Sequence, residues 1–405
     1  MTIKQGGCIM RTWIVVIGVL WSWVVVAAKP QLEWHSLFKF PGRGTVSCTD
    51  VIPLDDGGYL LAAQAGIRWD EQNRVVYDAW LIRTDARGDC VSSRIYGGSQ
   101  YNEVSFAIPV SDNRFVLGGT TEPAEKSEGV TSDGWLMCVD ANGDSVWSKT
   151  IGGEFGEGFD AYCPTADGGY LFAGSLVWYG SDSTDSGWDC DVWLVKTDNS
   201  FNVEWTRRYG GLFSDRAKDV VQTEDRGFLI AIETQSFGNA IWLLRTDSQG
   251  DSVSSSFLRA RYHEFASDLL PMGNDQYILA GGASSDTVTS MDVRLWGLDA
   301  QGDSLWCRSF GRTGFDYCSG AVRLSDGGLL LACGTHAADS PRGIGWMIRT
   351  DAQYDSLWSI TDQKGVRTSF SVAKPTPGGG FIVAGECHLP GDTSDVILLE
   401  KFSPE

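Results

Sequence analysis

One sequence pattern occurs seven times along the chain, and few folds can accommodate it. It opens at Asp56 (DGGYLLAA), Asp112 (DNRFVLGG), Asp167 (DGGYLFAG), Asp225 (DRGFLIAI), Asn274 (NDQYILAG), Asp326 (DGGLLLAC) and Gly378 (GGGFIVAG), at intervals of 49 to 58 residues. The second half of the unit is stricter. Trp80, Trp135, Trp193, Trp242 and Trp346 each stand five residues before an aspartate, namely Asp85, Asp140, Asp198, Asp247 and Asp351. In the fifth copy Arg294 precedes Asp299 at that spacing, and in the seventh we align Ile397 with Phe402. Seven residues after the aspartate a second tryptophan follows in four copies, as Trp147, Trp205, Trp306 and Trp358, while Ser92 and Ser254 take its place in copies one and four.

A period of this length with four short apolar segments is the signature of a radial or linear β-repeat. Each unit reads as four strands, with Asp-Gly-Gly turns because glycine reaches positive φ at no steric cost. Closure separates a ring from a solenoid. The seventh copy ends with DVILLEKF and has no fourth strand, whereas residues 33–40 (EWHSLFKF) look like an orphan fourth strand with Trp34 at the tryptophan position. The expected fold is therefore all-β: a seven-bladed β-propeller of four-stranded antiparallel blades, closed by the N-terminal strand pairing in the last blade.

Residues 1–28 read as a targeting segment. Lys4 and Arg11 are its only charges, an apolar run fills 12–28, and Val26 and Ala28 stand at the −3 and −1 positions of a cleavage site. Retained, the run would be an anchor; removed, it leaves no membrane span and one propeller domain over 29–405. Met10 is an alternative start that would give a shorter positively charged region. The expected compartment is secreted, periplasmic or cell-envelope. The nine cysteines beyond Cys8 are scattered, with no CxxC, and read as small buried strand residues. With 32 basic against 52 acidic residues the net charge is −20, so nucleic acid is not expected as a partner and anionic lipid is a poor one.

Strands that alternate in direction put the short Asp-Gly-Gly and Asp-x-x-Gly-Asp turns on one face and the variable connections on the other. The connections over 65–77, 120–133 and 176–190 are long, while 235–239 is short. Variable loops on a rigid scaffold are where binding usually sits. They carry Trp69, Tyr77, Trp178, Tyr179 and Trp188 beside Asp182 and Asp185, an aromatic and carboxylate set suited to sugar rings or to a protein partner. The links between blades repeat an acid, as Glu103, Glu157, Asp215, Glu264 and Asp316, which reads as an acceptor for buried amides.

Recognisable chemistry is sparse. The Asp-x-x-Gly-Asp turns lack the rest of a twelve-residue calcium loop and read as hairpin turns. His35, His263, His336 and His388 fall in different copies without metal spacing, and no GxSxG or Walker sequence occurs. We assign no catalytic, metal or cofactor residue.

The phrases DGGYLFAGS, DVWLVKTD and DSVWSKTIGG resemble a repeat of many secreted bacterial proteins, with consensus GGY-AG-T followed by D-WLIKTD-GN-W-KTYGG. The resemblance runs from about Glu33 to Phe402 and implies a quinoprotein-like seven-bladed propeller. The fourth-strand segment also resembles the tryptophan-docking repeat of quinone-dependent dehydrogenases, but the vicinal cysteines those enzymes place beside the cofactor are missing, so no cofactor is expected. The reading is an exported, non-catalytic, monomeric binding scaffold that engages a protein or a polysaccharide. The alternatives are a glucanase-like polysaccharide hydrolase and an envelope-assembly scaffold.

Overall fold

The computed structural model describes residues 29–41, 44–69, 75–97, 101–111, 113–122, 132–179, 188–259, 263–284, 290–312, 314–337, 343–392 and 394–404. Residues 1–28, expected from sequence to be a targeting segment, lie outside them. Among the described residues there are 28 strands and no helix, arranged as seven four-stranded antiparallel sheets.

Blade one runs outward from β2 (Val46–Pro53) through β3 (Tyr59–Trp69) and β4 (Val75–Thr84) to β5 (Cys90–Tyr96). Blades two to six start at β6 (Asn102–Val110), β10 (Gly156–Pro164), β14 (Asp215–Gln222), β18 (Glu264–Gly273) and β22 (Gly314–Arg323). Blade seven is β26 (Arg367–Pro375), β27 (Phe381–His388) and β28 (Asp395–Phe402), and its fourth strand is the N-terminal β1 (Leu32–Phe38). The first strands touch in an unbroken circle, β2 against β6, on through β10, β14, β18 and β22 to β26, and β26 back against β2. The ring is therefore closed, and β1 pairs antiparallel with β28 from Leu32 opposite Phe402 to Phe38 opposite Ile397.

Local sequence explains the hairpins. Asp85, Asp140, Asp198, Asp247, Asp299 and Asp351 each use one carboxylate oxygen to accept two amides of their own turn, 2.8–3.0 Å away. The strictest aspartate of the repeat is thus a turn acceptor. Three residues later Gly88, Gly143, Gly250 and Gly302 take positive φ, and Phe201 and Tyr354 adopt the same conformation in blades three and six. The Asp of the first turn pairs with a cation on strand three: Arg83 with Asp56 at 2.5 Å, Lys196 with Asp167 at 3.0 Å, Arg245 with Asp225 at 2.6 Å, and Arg349 with Asp326.

Strand three packs against a neighbour on both sides, which is why its sequence is a continuous apolar run rather than an alternating one. On β4, Trp80 and Ile82 face blade seven, whereas Ala79 and Leu81 face blade two. Seven apolar clusters result, one for each blade interface. The strand-three tryptophans are almost wholly buried there, and hiding about 200 Å² of indole contributes roughly 5 kcal/mol before ordering costs.

Blade seven corrects one expectation. Phe381, which opens β27, lies opposite Phe402, whereas Tyr59, which opens β3, lies opposite Thr84. Leu398 and Ser403 are therefore the counterparts of Trp80 and Asp85, one residue beyond the Ile397 and Phe402 alignment. The Ser403 amide bonds to the Gln31 carbonyl at 2.9 Å, as the Asp85 amide does to Asp89. The reason for the slip is that the chain replaces the terminal aspartate by serine, so the sequence offers no marker for that turn.

Candidate functional site

Two regions of the ring collect polar groups without an evident structural need: the face of variable connections and the central lumen. On the face, the first strand pairs run further than the sequence suggests. In blade one β3 continues to Trp69 and β4 starts at Val75, so most of 65–77 is a two-stranded extension. Blade three does the same with β11 (Tyr170–Tyr179) and β12 (Trp188–Thr197), where Trp178 lies opposite Asp189 and Tyr179 opposite Trp188. The β-branched and aromatic residues of those segments carry the ladder outward. Trp69, Trp178, Tyr179 and Trp188 are thus placed on strand ends of one face, in blades one and three; Asp182 and Asp185 lie outside the described residues. Tyr77 is half-buried, meets Tyr101 edge-on at 6.0 Å and lies 3.3 Å from the Thr45 hydroxyl.

The recurrent link acids lie at the same face and divide. The Asp215 carboxylate accepts the Gly211 amide at 2.9 Å together with the Thr234 and Ser236 hydroxyls. Asp316 accepts the Arg312 amide, and Glu157 those of Gly153 and Phe155. Glu103 instead takes the Tyr101 hydroxyl. Glu264 has no hydrogen-bond partner for either buried oxygen, and burial pushes its carboxyl up to about 7. It lines a cavity of about 380 Å³ between blades four and five with Arg216, Glu233 and His263. His388 bonds to Asp395 at 3.0 Å, which also pairs with Arg367 at 2.8 Å.

The lumen was not singled out from sequence. Every first strand carries a β-bulge at one level, between Cys48 and Asp50, Val104 and Phe106, Phe159 and Ala161, Ala217 and Asp219, Ala266 and Leu269, Cys318 and Gly320, and Phe370 and Val372. A bulge frees one residue from the ladder and re-aims its side chain. The freed residues are Thr49, Ser105, Asp160, Lys218, Ser267 (with Asp268), Ser319 and Ser371, and all line a cavity of about 470 Å³ on the ring axis. Asp160, Lys218 and Ser319 are exposed although they sit on innermost strands, so the lumen is open to solvent.

The next residue has a second task. Asp50, Asp219 and Asp268 reach from one blade to a main-chain amide of the following one: Ala107 at 3.3 Å, Leu269 at 2.7 Å and Ala321 at 3.0 Å. These carboxylates tie blades together. Burial, followed by the negative charge of Asp268, holds the Asp219 carboxyl well above the usual range. Asp50 is balanced by the Lys374 ammonium 3.3 Å away. The Asp160 carboxylate accepts the Ser175 hydroxyl at 3.1 Å. Among the described residues no group of three His, Cys, Asp or Glu is placed to hold a metal ion, and no helix is long and apolar enough to cross a membrane.

No protein-family description matches the chain, and no curated protein matches it. Solved structures do. A protein of unknown function from Dyadobacter fermentans aligns with TM-score 0.53 and 10% identity over 93% of this chain and 99% of that one. The Pan2 WD40 domain of Neurospora crassa aligns with TM-score 0.51 and 11% identity over 89% and 90%. A polysaccharide lyase of the ulvan lyase family bound to -[GlcA(1-4)Rha3S]- aligns with TM-score 0.55 and 9% identity over 91% and 96%. At such identities the likeness is one of fold.

Proposed function

We propose that this protein is an exported, non-catalytic binding propeller whose variable face engages a polysaccharide or a protein. One observation carries the reading: the two faces of a regular ring are built unequally. The short turns on one face consume their own aspartates, whereas blades one and three project paired strands from the other and end them in Trp69, Trp178, Tyr179 and Trp188. Aromatic side chains bind flat, repetitive ligands at low entropic cost. The same ring in a structural neighbour accompanies a bound saccharide, which is compatible with this reading.

Co-sedimentation of the purified protein with insoluble polysaccharides tests it, with reducing ends counted in the same tubes. Retention without new reducing ends, lost in Trp178→Ala and Trp188→Ala, is the expected result. New reducing ends would replace the reading by the hydrolase one. No retention on any polysaccharide, with no protein partner crosslinked to that face, would remove it.

A further inference from the structure

The lumen holds an arrangement that the variable-face reading does not use. Seven bulge side chains line the axial cavity at one level, and their chemistry is mixed: five hydroxyls from Thr49, Ser105, Ser267, Ser319 and Ser371, one carboxylate from Asp160 and one ammonium from Lys218. The Thr49, Ser267 and Ser371 hydroxyls already donate within the ring, to the Ala62 carbonyl at 3.1 Å, Asp268 at 2.5 Å and Glu386 at 3.1 Å. The two charges are on adjacent blades, and neither is used up within the ring. Asp160 accepts a single hydroxyl, and Lys218 is 3.9 Å from Glu233, beyond hydrogen-bond length. Aromatic walls from Phe106, Tyr162, Phe265 and Tyr317 flank them. Asp50, Asp219 and Asp268 serve the amides of Ala107, Leu269 and Ala321, which leaves Asp160 and Lys218 to face the solvent of the lumen.

From this geometry we infer that the lumen is a binding site for a small neutral polyhydroxylated ligand, a monosaccharide or cyclitol, gripped by Asp160 and Lys218 and encircled by the bulge hydroxyls. A carboxylate accepts from two neighbouring hydroxyls while an ammonium donates to a third, and a serine or threonine hydroxyl whose proton is committed within the ring still accepts, so a ligand rich in hydroxyl donors meets acceptors around the lumen. The cavity of about 470 Å³ takes one such ring with water to spare. Apolar walls supply the faces on which C–H surfaces rest.

Titration calorimetry of the purified protein with glucose, galactose, mannose and myo-inositol tests the inference. At least one is expected to bind, and Asp160→Asn is expected to weaken it about tenfold or more, since a hydrogen bond to a charged group is at stake. The hydrogen bond Asp160 makes to Ser175 lies within blade three, so the melting temperature of that variant should stay put; Lys218→Met is the second variant should it not. Val253→Thr, on an exposed fourth strand away from both the lumen and the variable face, should leave the affinity unchanged. Absence of binding by all four, binding that both lumen variants leave intact, or a stronger response to spermidine than to every polyol would each overturn the inference.

Discussion

Blade three and blade seven have the same four strands, but only blade three is made from one continuous stretch of chain. In blade three Lys196 on strand three pairs with Asp167 at 3.0 Å and with Glu204 at 2.9 Å, and Trp205 on strand four meets Phe228 of the next blade edge-on at 6.2 Å. In blade seven Lys401 pairs with Glu33 at 3.3 Å, and Trp34 meets Tyr59 of blade one edge-on at 5.8 Å. Lys401 and Glu33, more than 360 positions apart, thus reproduce the pairing that Lys196 and Glu204 make eight apart. What blade seven lacks is also specific. Gly378 replaces the turn aspartate, Leu398 replaces the strand-three tryptophan, and Glu400 stands where Ile82, Val195, Leu244 and Ile348 pack in other blades. Side-chain contacts define a blade; continuity of the chain does not, and the closing blade is the least conforming one.

The largest way to break the comparison is to delete β1. Its loss exposes the β28 ladder and removes the Trp34 and Phe38 contacts with blade one. Losing roughly 5 kcal/mol of such contacts should lower the melting temperature by about 10 °C, at about 2 °C per kcal/mol in a chain of this size. A synthetic peptide of residues 29–41 should restore the midpoint in a concentration-dependent way. A deletion variant that melts like the parent would show that the ring does not depend on its N-terminal strand.

Glu400 sharpens the same comparison. It is fully buried between blades six and seven, 3.4 Å from Lys364, which also meets Asp362 at 3.1 Å. Burial first, and then the neighbouring Asp362, push its carboxyl up to about 8, with Lys364 pulling the other way. The folded state therefore holds a proton that the unfolded chain, with a carboxyl near 4.5, gives up. Stability contributed by this site is present below pH 4.5 and is lost as pH rises towards 8. Glu400→Met should raise stability at pH 8 by on the order of a few kcal/mol and change it little at pH 4.5. Urea melts at the two pH values measure both; an equal effect at both would show that Glu400 is ionised throughout.

The ring, the seven blades and the closing strand were legible in the sequence because turn chemistry and tryptophans recur at fixed offsets. Residues 33–40 could be recognised from Trp34 alone, and the observed strand is Leu32–Phe38. The lumen was not legible, because a bulge residue breaks the alternation by which inward side chains are recognised. A signal was nevertheless there. Thr49, Ser105, Asp160, Lys218, Ser267, Ser319 and Ser371 each stand ten residues before the residue that opens the strand-two pattern, from Tyr59 and Phe115 to Phe381, and the column is hydrophilic in every copy. On the outer face the sequence reads 65–77 as a loop although Val75 and Val76 extend the ladder, since propensity at a strand end depends on a partner the sequence does not show.

The smallest expected effect comes from one turn residue of blade six. Tyr354 has φ +66° where blades one, two, four and five place glycine. Left-handed backbone costs a side-chain-bearing residue about 1–2 kcal/mol. Its ring stacks on Trp306 of blade five at 4.8 Å, and an aromatic pair returns about 0.5–1.5 kcal/mol beyond its burial. Phe201 in blade three repeats the arrangement, stacked on Tyr170 at 4.9 Å and meeting Trp147 of blade two at 5.3 Å. The two terms nearly cancel, so Tyr354→Gly should move the unfolding free energy by less than about 1 kcal/mol, whereas Tyr354→Ala, which keeps the strain and loses the stack, should cost about 1–2 kcal/mol. Chemical denaturation of the pair separates them. If the glycine variant were the less stable of the two, the left-handed turn would carry no strain, and the aromatic at this position would be there for packing alone.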